Sequence, residues 1–214
     1  MSAAIVLHAP LPAEPRSLRW ESSLLQSLPY ARRLQLEGRS APQRTASLAG
    51  IALVLLGAER LTGQPVAPRN FSFPLDLKPS LAQGPEFSLS HSTRLVACCV
   101  TSGKPCGIDV EDTPLAANAD GIDRLRHWTA TEAILKAAGR GVRNMHEVRL
   151  NSGLASGFVG EGGFCLQPLA GLPGAIGHVA SRAPLALSLL AVDLDGDELS
   201  AAMERSFSLA AQVE

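Results

Sequence analysis

The chain has 214 residues, 46% of them hydrophobic and 18% charged, with a formal net charge of -1 and a pI near 6.5. This composition excludes a disordered chain and supplies enough apolar side chain for one large domain or two packed halves. It also excludes nucleic-acid binding by broad phosphate neutralisation, so any anion must be held by local groups.

The N-terminal stretch MSAAIVLHAPLPAEP has no basic segment ahead of a long apolar run, and no secretory signal is expected. LRWESSLLQSLPYARRLQLEG, 18–38, suggests a short helix closed by Gly38. The strongest helix is predicted over 43–61, where apolar residues fall at helical spacing and Thr62-Gly63 forms the exit. Its apolar run is shorter than the ~20 residues a bilayer span requires, so a buried helix and no membrane association are expected. Proline-rich 63–86 reads as irregular connections around short extended pieces.

FSLSHS from Phe87 and RLVACCVT from Arg94 predict a hairpin, followed by a strand in GIDVED, 107–112. A helix is expected to begin near Thr129, because Thr129 and Glu132 have capping-box spacing, with Trp128 as staple and Gly139 or Gly141 as stop. Successive antiparallel strands are predicted from VRLNSG, SGFVGEGGFCLQPL, AIGHVASRA and PLALSLLAVDL, and a short or frayed helix at the C-terminal end. The four cysteines form no CxxC pair and no zinc-like spacing with the histidines, so reduced thiols in a cytoplasmic protein are expected.

In GIDVED, strand alternation puts Asp109 and Glu111 on one face, where a hard divalent cation would relieve their repulsion; solvated acids at a strand end are the plainer reading. Ser90 and His91 in SLSHS offer donors suited to phosphate oxygens. Lys78 and Arg44 are cations that, taken singly, mean solvated surface. Neither GxGxxG nor a Walker A sequence is present.

The order of these pieces, Arg44, Lys-Pro at 78–79, FSLSHS, GIDVE and WTATEAILKAAGRG, resembles the 4'-phosphopantetheinyl transferases, in particular their larger type, which modifies carrier domains of polyketide and nonribosomal peptide synthetases. The likeness runs from about 44 to 142. Two positions depart from the family pattern: Thr131 replaces a usual Lys and Ser88 a common Asn.

The resemblance implies an α+β fold of two similar subdomains related by a pseudo-twofold axis, 1–104 and 105–214, each a small antiparallel sheet packed on a long helix. It implies a cytoplasmic monomer that moves the phosphopantetheine arm of coenzyme A to a serine of an apo acyl or peptidyl carrier protein. Asp109, Glu111 and Glu132 would bind Mg²⁺, or Mn²⁺ in its place, with Glu132 also the general base and Lys136 stabilising the departing bisphosphate. Ser90 and His91 would contact the pyrophosphate, and Arg44 and Lys78 the 3'-phosphate. Arg124, Arg126, Arg140 and Arg143 could form a basic rim for an acidic carrier. Two rival expectations are a Mg²⁺-dependent nucleotide pyrophosphate hydrolase and a coenzyme A-binding protein that has lost catalysis.

Overall fold

The computed structural model describes residues 2–14, 16–75, 77–116 and 118–210. Strand β1 (Ser2–Pro10) leads to helices α1 (Glu21–Ser27) and α2 (Tyr30–Glu37), where one helix is predicted. The break is at Pro29, whose ring disfavours helical geometry in the residue before it; Leu28 is extended, with ψ 157°. Gly38 does follow α2, but at φ -75°, so no left-handed turn is needed there.

Helix α3 (Ala41–Thr62) is apolar all round and buried without interruption from Thr45 to Ala58. By length and composition it could cross a membrane, yet 72% of its most apolar window is buried inside the protein. Among the described residues, the segment after it contains only a 3₁₀ turn and the two-residue strands β2 (Phe71–Ser72) and β3 (Ser80–Leu81). The predicted hairpin is β4 (Glu86–His91) with β5 (Leu95–Thr101), and β6 (Cys106–Asp112) follows.

Helix α4 (Ala119–Ala137) starts a full ten residues before Thr129. Its N-cap is Asn118, whose side chain accepts from the Gly121 N–H at 2.9 Å, so the predicted capping box does not exist. At the other end Gly139 has φ +68°, Arg140 N–H donates to the Leu135 carbonyl, and Gly139 N–H donates to that of Lys136, a Schellman stop.

Strands β7 (Val148–Leu150), β8 (Ser156–Val159), β9 (Gly162–Pro168) and β10 (Ala175–Ser181) join β6 in a five-stranded antiparallel sheet of order β6-β10-β9-β8-β7. The next strand, β11 (Leu185–Ala191), departs from the prediction: it pairs parallel with β1, from Ser2↔Leu185 to His8↔Ala191, in a four-stranded sheet of order β11-β1-β5-β4. Helix α5 (Asp197–Ala210) then packs on α3. Thus the last elements of the chain complete the first sheet and its helix layer, and a cut at residue 104 would separate them from it.

The fold is mixed α+β. One apolar cluster fills the space between the first sheet and α1, α3 and α5; a second joins the opposite face of that sheet to Ile108, Val110 and Val179; a third lies between α4 and β8–β10.

Candidate functional site

Gly107 determines where β6 meets α4. A Cβ there would lie 1.9 Å from the Ala133 carbonyl oxygen and 2.4 Å from the Ala137 nitrogen, so only glycine lets the strand pass so close to the helix. The alternation read from the sequence holds: Ile108 and Val110 enter an apolar cluster, while Asp109 and Glu111 face α4.

Asp109 is buried. Its Oδ1 accepts from Lys136 Nζ at 2.7 Å and from Ser90 Oγ at 2.8 Å, whereas Oδ2 is buried with no hydrogen-bond partner among the described residues. Glu132, four residues before Lys136 on α4, is also buried, and its Oε1 is likewise unpartnered. Burial raises the pKa of Glu132; Lys136 opposes the rise, and the charges of Asp109 and Glu111 add to it. Glu111 is raised by burial and by Asp109, and lowered by a hydrogen bond from Trp128 Nε1 at 3.2 Å. The three carboxylates therefore share one electrostatic neighbourhood.

Buried oxygens without partners are what a hard cation takes as ligands, so the donor set fits Mg²⁺ or Mn²⁺ in chemistry. Among the described residues, no three His, Cys, Asp or Glu side chains already surround a common point. Lys136 neutralises Asp109 as the side chains stand.

The remaining predicted residues divide. Ser90 has one hydroxyl proton, and that proton goes to Asp109, while its oxygen accepts from the Val110 N–H at 3.3 Å. It cannot also donate to a phosphate. Ser88, in the place of the family's Asn, accepts from the Ile108 N–H at 3.1 Å, so two hydroxyls stitch β4 to β6. Asp112 accepts from Ser92 Oγ at 2.7 Å and the Arg94 N–H at 3.2 Å, a structural corner.

His91, Lys78 and Lys136 do line a common cleft of about 750 Å³, the size of a small-molecule site. Its walls come from α3 on one side (Ala46, Ser47 and Gly50) and from the end of α4 and the following loop on the other. Loss of solvent lowers the pKa of His91, and the charges of Lys136 and Arg39 add to the shift. Lys78 is partly engaged, donating to Glu86 Oε2 at 3.1 Å and the Cys106 carbonyl at 2.9 Å.

Arg44 does not line this cleft; Arg32 and Arg39 do. Arg32 lies over the Phe73 ring at 4.4 Å, its Nε is buried without a partner among the described residues, and its pKa is lowered by burial and by Arg39. Two neighbouring guanidinium groups, one with a donor that has no partner among the described residues, have the chemistry to hold an anion. No motif marks this pair in the sequence: Arg32 lies in the first turn of α2, and Arg39 follows Gly38, just past the helix end. Arg140 and Arg143 also line the cleft, with Arg140 paired to Glu147, whereas Arg124 lies on an outer groove and Arg126 pairs with Asp123 at 3.0 Å.

Thr131 faces that outer groove, not the cleft, and its hydroxyl donates to the His127 carbonyl at 2.8 Å. Thr129, inside the helix, instead donates to the Leu125 carbonyl and lies 2.8 Å from Nδ1 of buried His178, which stands opposite Asp109 in the sheet. Compared with known proteins, the chain matches no family model and no curated protein.

Proposed function

We propose that the protein is a Mg²⁺-dependent 4'-phosphopantetheinyl transferase acting on apo acyl or peptidyl carrier proteins, with coenzyme A as donor. The observation that carries this reading is the junction of an arginine- and lysine-lined cleft with a cluster of buried, partnerless carboxylate oxygens, through Lys136, which belongs to both. A polyanionic pyrophosphate needs the first, and phosphoryl transfer to a hydroxyl needs the second.

Mg²⁺ held by Asp109, Glu111 and Glu132 would supply charge neutralisation at the pyrophosphate. Glu132, whose raised pKa suits proton acceptance, takes the proton of the carrier serine. The serine oxygen forms the new bond to phosphorus, the pyrophosphate P–O bond breaks, and adenosine 3',5'-bisphosphate leaves with the electron pair. Lys136, His91 and the arginines offset the charge on that leaving group, and Arg32 with Arg39 takes the place that the resemblance gives to Arg44. Because Thr131 points away from the cleft, its departure from the family pattern leaves these contacts intact.

The same reading carries a pseudo-twofold relation between an α3-based and an α4-based half, and a cytoplasmic monomer. Incubation with apo-carrier, coenzyme A and Mg²⁺ tests it: a mass gain of about 340 Da on the carrier, the size of the transferred arm, supports it. Steady bisphosphate release without carrier would favour hydrolysis, and coenzyme A binding with no mass gain would favour lost catalysis.

A further inference from the structure

We infer that Trp128 is a positioning residue whose indole N–H holds Glu111 turned toward Asp109 and Glu132, ready to share a divalent cation with them; the inference rests on the proposed function. Trp128 lies one helical turn before Glu132, so both project from the same side of α4. Its Nε1–H donates to Glu111 Oε1 at 3.2 Å. That occupies one oxygen of the carboxylate and leaves the other for a cation.

The two tryptophans of the chain contrast sharply. Trp20 is 3% exposed, belongs to the main core cluster and gives its N–H to the Leu194 carbonyl. Trp128 is 40% exposed and lies outside the cluster that packs α4 on its sheet. An aromatic ring that leaves this much surface in water contributes little to the core; its specific contact is the one to Glu111.

Glu111 needs such a contact. It sits near the end of β6, half-buried, beside Asp109, and repulsion between the two would turn an unrestrained glutamate out to solvent. An arginine or lysine could restrain it, but would cancel the charge that attracts the cation. An indole N–H is a donor that carries no charge and cannot itself ligate a metal. The carboxylates thus receive different treatment: Asp109 is held by the cation Lys136, and Glu111 by a neutral group.

The test is Mn²⁺ binding by the full chain, with neither coenzyme A nor carrier present, read from the electron paramagnetic resonance signal of free Mn²⁺. Trp128→Phe, which keeps a ring and removes the donor, is expected to weaken binding about tenfold, the scale of a hydrogen bond to a charged group. Trp128→His, which restores an N–H, recovers most of the loss. In a Glu111→Gln background Trp128→Phe has no further effect, and the metal-free thermal midpoint stays where it is. Unchanged Mn²⁺ affinity in Trp128→Phe overturns the inference, as does an equal loss in the Glu111→Gln background, which would mean that the ring acts through helix packing. If the unaltered protein binds no Mn²⁺, the inference and the metal-dependent function fall together. If it shows the expected Mn²⁺ pattern but transfers nothing to any carrier, the proposed function falls alone.

Discussion

Lys136 Nζ lies 2.7 Å from Asp109 Oδ1 and 3.1 Å from the Ile108 carbonyl oxygen, so the last turn of α4 is tied to the strand that carries two of the three carboxylates. Lys136→Met leaves a buried carboxylate without its counter-charge. The expected cost is about 2 kcal/mol in urea unfolding, reduced from the range for fully buried pairs because Lys136 is partly exposed. The double variant Asp109→Asn, Lys136→Met should recover most of that stability while remaining inactive. A double variant no more stable than Lys136→Met would show that the ion pair is not the source of the loss.

Glu132→Gln should abolish transfer, read as absence of the mass gain on apo-carrier. Its thermal midpoint should hold or rise slightly, because the substitution removes a charge that burial, Asp109 and Glu111 all disfavour. Helix capping plays no part, since the side chain lies in the interior of α4. Wild-type transfer rates in this variant would sink the assigned role.

Arg32→Gln and Arg44→Gln separate the cleft from the motif. Calorimetric titration should show coenzyme A binding weakened about tenfold by Arg32→Gln, as for loss of a charge-assisted contact, and unchanged by Arg44→Gln. With 3'-dephospho-coenzyme A the Arg32→Gln effect should shrink. The reverse ranking would return the 3'-phosphate to Arg44.

His178 sets a pH dependence of stability. Burial, then Arg126 and His127, lower its pKa to about 4, below the ~6.5 of an unfolded histidine, so the unfolded chain takes up the proton first. Stability is therefore full above pH ~6.5 and declines as pH falls toward 4, by about 3 kcal/mol over the whole window. His8 and His91 shift in the same direction, and Glu111 and Glu132 in the opposite one. Chemical denaturation between pH 7 and 4.5 should show a shallower slope in His178→Gln; an identical slope would exclude His178 as its source.

Local pattern in the sequence is informative where neighbours in the chain are neighbours in space. The apolar run of α3, the β4–β5 hairpin and the alternation across Asp109 and Glu111 all depend on residues a few positions apart. Thr129-x-x-Glu132 satisfies a capping pattern inside a helix as well as at its end, so it does not mark the start of α4. The better signal, Asn118 followed by Asp120, stood in a polar stretch with little apolar periodicity. Arg32 and Arg39 meet β4 and the end of α4 around one cleft, a long-range fact no local motif records. The partnering of β11 with β1 is of the same kind.

That partnering bears on how the chain is made. In the first sheet β1 has β5 on one side and β11 on the other, so β1 waits for Leu185–Ala191 to be made before both its edges are paired. Until then AAIVLHA offers a bare, apolar backbone edge, open to pairing with other chains. Long-range closure of this kind is slow relative to hairpin formation. Nascent chains arrested before residue 185 should accordingly remain protease-sensitive along β1 and recruit holding chaperones, with protection arriving only once β11 has emerged.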